Sequence, residues 1–322
     1  IVDDEAYLDF GGSGNVHVVE EPLTLNSSRS PGVLWVPGGS HSWAGPVTLS
    51  RASSTVALAS GGAYTLDLTG PISGSGDLVK GGEGTVIFSG SDPNTYTGNT
   101  YVDSGTLLLA KTVPDSAVTG ALFVGDGAGG TDADVVRLET TSQIPITTRV
   151  LVSDSGLFDM NGITDTIGSL AGSGHVTMGT GTLETGLDNS SSVFSGLIEG
   201  SGNLKKAGAG TFELSGNNIY TGETLVQKGT LLVNGSQPAS EVLVLTPGTL
   251  GGVGTAGDLR SDGTVAPGGS AGTLSCGKAA LLAGSIFDVE LDGYAATDYD
   301  QLDVGKGIAI DKADLSLTWG FV

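Results

Sequence analysis

GTFELSGNNIYTGETLVQKGTLLVNG, residues 210–235, is written almost entirely in Gly, Thr, Asn, Leu and Val. It holds strand formers and turn formers, and little that performs chemistry. Apolar residues alternate within it. In Thr211-Phe212-Glu213-Leu214, Phe212 and Leu214 share one face and Glu213 takes the other. Further on, Leu231 and Val233 share a face, with Thr230, Leu232 and Asn234 opposite. Successive side chains of a strand point to opposite sides, so both runs read as strands with one dry and one solvated face.

The same text stands upstream as GTVIFSGSDPNTYTGNTYVDSGTLLLA, residues 84–110, with two residues inserted. Aligning 70–90 with 196–216, and 96–110 with 220–234, gives 21 identical residues in 36 positions. The repeat copies span 70–110 and 196–235, and a degenerate third, LAGSGHVTMGTGTLETG, occupies 170–186. Inside them runs a finer rhythm. Gly-Thr followed by an apolar residue begins at Gly84, Gly105, Gly181, Gly210, Gly229, Gly248, Gly263 and Gly272, with gaps of 21, 19 and 19 where the copies are best preserved. About 20 residues is too short for a propeller blade and suits one coil of a solenoid holding two or three short strands. Sharp corners between those strands explain the glycines, and SGNNIYTG reads as a corner in which Asn217 and Asn218 adopt a left-handed conformation or cap neighbouring backbone. No composition shift cuts the chain, so 1–322 is expected to form one continuous domain.

Composition agrees with an all-β reading. Gly is 55 of 322 residues without a Gly-X-Y period, which excludes collagen, and helix-forming windows are essentially absent. Thirteen Lys and Arg against 35 Asp and Glu give 13 − 35 = −22, a field that repels phosphate backbones and anionic membranes. Nucleic acid is therefore not an expected partner. The acids gather at both ends, from Asp3 to Glu21 and from Asp288 to Asp314, where they serve solubility or bridge neighbouring molecules through divalent cations. Cys276 is the only cysteine, so no intrachain disulfide forms. No apolar run approaches the ~18 residues of a membrane span. Beginning at Ile1 rather than Met, the chain reads as a processed or excised piece.

With GSGNLKKAGAGT before it, LSGNNIYTGETLVQKGTLLVNG resembles the autotransporter-associated β-strand repeat, also called the passenger-associated transport repeat. LFDMNGITDTIGSLAGSGHV, GGVGTAGDLRSDGTVAPGGSAGTLSCG and DYDQLDVGKGIAIDKADLSL are similar to segments that accompany it, so the resemblance covers nearly the whole chain. It implies a single-stranded right-handed parallel β-helix, secreted by bacteria and exposed at the cell surface. The repeat itself serves adhesins, matrix proteins and passengers of other kinds, and does not define an activity.

Several patterns invite a chemical reading. Gly268-Gly269-Ser270-Ala271-Gly272 fits the nucleophile elbow, but that elbow needs a strand–turn–helix context and a later His, and the last one is His175. GDGAGG at Gly125 and GVGTAG at Gly252 match the dinucleotide fingerprint without opening a helix. DGAGGTDAD, 126–134, resembles a calcium loop but lacks its closing Glu, and reads as a Gly/Asp turn. His17, His41 and His175 are too far apart, and too poor in acidic or thiol neighbours, to read as a zinc site. Solenoid enzymes that cleave acidic polysaccharides group acids and a base on an outer face, and Asp132, Asp134 and Arg137 are the candidates for such a group. Trp35, Trp43, Tyr96, Tyr101, Tyr220, Tyr294 and Tyr299 offer rings to sugars, although a Tyr ending each repeat loop is more simply a plug over a corner. The N-x-[ST] sequons at Asn26, Asn189 and Asn234 read as incidental.

The expectation is a non-catalytic secreted structural protein with no catalytic, cofactor or metal residues: a cell-surface stalk, an adhesin-like passenger, or a subunit of an extracellular fibre. Its expected partners are copies of itself, through unpaired strand edges, or surface glycans. A glycan-binding module and a polysaccharide-cleaving enzyme are the alternatives.

Overall fold

The computed structural model describes residues 1–3, 8–10, 14–26, 34–50, 53–58, 64–269, 271–293, 295 and 298–319, with backbone alone at 2–3 and 53–58. Among these residues every regular element is a strand. The strands pair in parallel and stack as a β-solenoid with roughly 22 residues per turn, close to the period read from the Gly-Thr phrases. Among the described residues, antiparallel contacts are confined to the isolated bridges Gly252–Gly268 and Leu291–Tyr299. The chain forms two compact units, 1–166 with 174–177, and 167–173 with 178–322.

The first unit carries three ladders of strands. One runs Val2–Asp3, Leu23–Asn26, Val47–Leu49, Ile72–Gly74. A second includes Asp77–Gly81, Thr100–Val102, Leu122–Val124 and Arg149–Val152, and a third includes Ser40–Trp43, Thr65–Leu68, Thr85–Phe88, Gly105–Leu109, Asp134–Leu138 and Gly156–Asp159. In the third, Leu66, Val86, Leu107, Val136, Phe158 and Val176 are successive register partners, and all are fully buried. The core is thus a stack of like side chains, each burial contributing about 1.5–3 kcal/mol.

The second unit repeats the scheme with two long ladders. One passes through Ser192–Phe194, Thr211–Leu214, Gly229–Val233, Gly248–Gly252, Thr264–Pro267, Ile286–Leu291 and Asp314–Trp319. The other passes through Thr182–Thr185, Asn203–Lys206, Thr224–Val226, Val242–Val244, Leu259–Ser261, Thr273–Leu281 and Gln301–Ile310. Phe212, Leu214, Leu231 and Val233 point inward and Glu213 and Leu232 outward, as the alternation predicts. Thr211, Thr230, Thr249 and Thr264 pair in sequence on neighbouring rungs, so the Gly-Thr phrases at 210, 229, 248 and 263 mark one line down the solenoid. Thr182 and Thr273 belong to the other ladder; the same phrase there marks a different line.

The repeat motif has a three-dimensional meaning. Asn94 and Asn218 are buried, and each side-chain oxygen accepts from the backbone of the preceding coil, at Ile72 and Ile198, both at 2.9 Å. Neither adopts a left-handed backbone; of the two roles expected of Asn218, capping is the one found. Tyr96 and Tyr220 are fully buried plugs whose hydroxyls meet Thr100 and Thr224 at 2.5 and 2.6 Å. The glycine after each Tyr-Thr is fixed by close approach: a Cβ at Gly98 or Gly222 would lie 2.3 or 2.1 Å from a carbonyl oxygen of the coil below.

Candidate functional site: ionisable groups on and within the coils

Strand parity decides where the candidate acids and base go. Within Asp134–Leu138, residues 134, 136 and 138 point inward and 135 and 137 outward. Asp134 and Arg137 are therefore on opposite faces, three residues being an odd step along a strand. This corrects the expectation that they share a face. Asp134 is buried and accepts a 2.5 Å hydrogen bond from the Ser155 hydroxyl, and burial raises its carboxyl above the usual range. Asp103, near Asp126 and Asp134, is raised for the same reason.

Arg137 lies outside, bracketed by acids and amides of its own and the next rung. Its Nε is 3.2 Å from Glu139, Nη1 is 3.6 Å from Asp159, and Nη2 donates to Asn161 Oδ1 at 2.8 Å. Asp159 also accepts from Thr177 Oγ1 at 3.0 Å and from the Asn161 backbone at 2.8 Å. Asp132 turns to His175, whose Nδ1 is 3.1 Å away. In the 126–134 loop Asp126 caps Ala128 at 2.7 Å, so its three aspartates face three different partners, in keeping with a Gly/Asp turn. Among the described residues no three His, Cys, Asp or Glu converge to hold a metal ion.

The histidines separate as well. His41 is buried against Phe10; its Nδ1 accepts from the Val16 amide, which leaves Nε2 to donate to the Gly38 carbonyl. His17, Ser42 and Asp67 occupy one outward position on three successive rungs, a juxtaposition that sequence reading missed because the coils are 25 residues apart. His17 Nδ1 is 2.8 Å from Ser42 Oγ, yet Asp67 accepts from Ser89 at 2.5 Å. The serine stands between base and acid, whereas a triad needs the base between serine and acid. Ser270 of the elbow pattern and Tyr294 lie outside the described residues. Neither dinucleotide-like run opens a helix: 125–130 is loop and bend, and 252–257 is strand and bend. Trp43 is in the core, and Tyr101 stacks on Phe123 of the next rung with ring centres 4.7 Å apart.

The most constrained ionisable groups are internal, and composition gave no hint of them. Lys80 and Lys206 hold the same position in the two repeat copies and are fully buried. Lys206 Nζ donates to the carbonyls of Ala207, Gly208 and Lys228 at 2.6, 3.0 and 3.0 Å. Lys80 Nζ donates to Gly81, Gly82 and Ser104 at 3.2, 2.6 and 2.5 Å. Each ammonium spends its three protons on a corner of its own coil and one of the next. Burial pushes Lys80 down to about 7 and Lys206 to about 8.

A parallel β-solenoid whose coils repeat both an apolar ladder and a polar bridge is a repeat protein by construction. Residues 78–109 and 204–233 match the family model of the passenger-associated transport repeat. The chain thus carries two copies of that repeat and is similar to passengers of bacterial autotransporters. It is 32% identical over 232 residues to the adhesin BmaC autotransporter of Brucella suis, covering 70% of this chain and 6% of that protein. It is 44% identical over 104 residues to an extracellular serine protease of Serratia marcescens, 31% of this chain and 10% of the relative. Similarity to the autotransporter lipoprotein NalP of Neisseria meningitidis is 41% over 70 residues, 21% of this chain and 6% of that one. The chain spans a tenth or less of the length of these relatives. No solved structure is a significant match.

Proposed function

We propose that this chain is a non-catalytic segment of a secreted autotransporter passenger, held at the bacterial surface as an adhesin-like stalk. The observation that carries this reading is the 232-residue similarity to an adhesin, which extends over most of the chain rather than one repeat. The similarity to the Serratia protease covers less than a third of the chain. The buried ladder supports the reading too, because rungs joined by parallel hydrogen bonds resist extension along the axis, as a stalk requires.

The test is surface display. Bacteria presenting the chain adhere to immobilised glycans or host cells, external protease strips the chain from intact cells, and the purified chain cleaves neither casein nor acidic polysaccharide. Release of peptides or of unsaturated sugar ends would favour an enzyme. The fibre version is separate: electron microscopy with and without calcium shows filaments if copies assemble, and monodisperse particles under both conditions reject it.

A further inference from the structure

On the outer face of the second unit, Leu259–Ser261, Thr273–Leu281 and Gln301–Ile310 lie side by side and enclose a groove of about 520 Å³. Its floor combines small side chains with Leu259 and the exposed Ile308. Arg260, Ala280 and Ala309 are register partners on three rungs, and Ala279 and Gly307 flank them. A β-bulge makes the rim: Cys276 to Lys278 is two steps while their partners Val304 to Gly307 are three, so the extra residue lies on Gln301–Ile310, at Gly305–Lys306. On Thr273–Leu281, Cys276 and Ala279 are buried and Lys278 between them is exposed. Lys278 and Lys306 then line the groove with Arg260, three of the 13 cationic side chains of a chain with net charge −22.

The counterions are few and poorly placed. Asp258 is shared by both lysines, at 4.0 Å from Lys278 and 3.8 Å from Lys306, and its Oδ1 also accepts from the Lys278 backbone at 3.0 Å. Exposed pairs at such distances contribute little. The Arg260 side chain makes no ion pair or hydrogen bond among the described residues, although acids outnumber bases by 35 to 13. A guanidinium without a partner over that floor presents its fork to a planar anion, and a carboxylate matches that fork with two parallel bonds.

We propose that this groove binds a uronate-bearing polysaccharide, one sugar carboxylate on Arg260 and neighbouring carboxylates toward Lys278 and Lys306. The two-rung span from Arg260 to Ala309, about 10 Å, suits charges spaced along a sugar chain. Duplex nucleic acid carries a charge about every 1.7 Å and would set phosphates against Asp258 and Glu241, which border the same groove. This names a ligand class for the adhesin-like reading and rests on it.

Binding of the purified chain to polygalacturonate is measured at low and high salt, with dextran and duplex DNA as comparators. The expected result is binding to polygalacturonate over dextran, weakened by salt, about ten-fold weaker for Arg260→Ala and lost for Lys278→Glu with Lys306→Glu. Lys228→Glu, outside the groove, leaves affinity unchanged. These side chains are exposed, and an unchanged circular dichroism spectrum verifies that each variant folds. Absence of polygalacturonate binding, affinity indifferent to Arg260, or equal affinity for duplex DNA each overturns the proposal. Adherence of displaying bacteria is scored in parallel. Adherence that persists without polygalacturonate binding sinks the groove and leaves the passenger reading standing, and loss of adherence to every surface sinks the passenger reading.

Discussion

Lys206 ties its own corner to the next coil by donating to three carbonyls, so replacing it with methionine keeps the bulk and orphans all three. Lys206→Met is expected to lower stability by about 1–3 kcal/mol, read from the midpoint of urea unfolding. Its counterpart Lys80 governs pH. Burial holds its ammonium at about 7, against 10.5 when solvated, so the unfolded chain binds the proton more tightly between those values. The cost of the buried charge is full below pH 7 and fades as pH rises toward 10.5. Native stability should therefore gain up to about 1.4 kcal/mol per pH unit from this residue between about pH 7 and 9, and Lys80→Met should flatten that slope. Asp165 acts in a lower window. Burial raises it to about 6, so the folded state holds its proton more tightly and stability falls as pH climbs from about 4 through 6. None of these shifts was legible in sequence, since a Lys in an alternating strand looks the same whether or not carbonyls close around it.

At the scale of the element, each strand is short and gains its stability from the rung above and below. Phe212 sits between Ser192 on one rung and Leu231 on the next, so Phe212→Ala opens a cavity spanning coils and should cost about 3–5 kcal/mol in chemical unfolding. Gly222→Ala places a methyl about where the Gly202 carbonyl already lies, at 2.1 Å, and should cost about 1–3 kcal/mol. The same change at Gly269, where no atom lies within 4 Å of the position a methyl would take, should cost far less. Sequence predicted the inward positions of these strands well, because parity needs only one correct residue per strand. It misjudged Asp134 with Arg137 for want of that count, and left two roles open for Asn218 because a buried amide bridge and a left-handed turn share one residue type.

For the whole molecule, a solenoid in which coils meet only their neighbours tolerates loss of a complete coil better than loss of part of one. Deleting 229–247, the 19 residues from one Gly-Thr phrase to the next, brings Gly248 and Thr249 to the places of Gly229 and Thr230, with which they pair. That variant should keep a β-type circular dichroism spectrum and unfold cooperatively. Deleting 229–238 removes Gly229–Val233 and Ser236–Gln237 but leaves Val242–Val244 of the same coil, which breaks the ladders, and should yield aggregate or unfolded chain. The sequence by itself determined the all-β class, the coil period, the inward faces and the repeat family, because each is a local pattern repeated many times along the chain. Only the tertiary structure decided that Lys80 and Lys206 are buried clamps, that His17, Ser42 and Asp67 share a line, and that Arg260, Lys278 and Lys306 face one groove. Those meetings depend on register between coils of unequal length, and one extra residue at Gly305–Lys306 is enough to change which side chains meet.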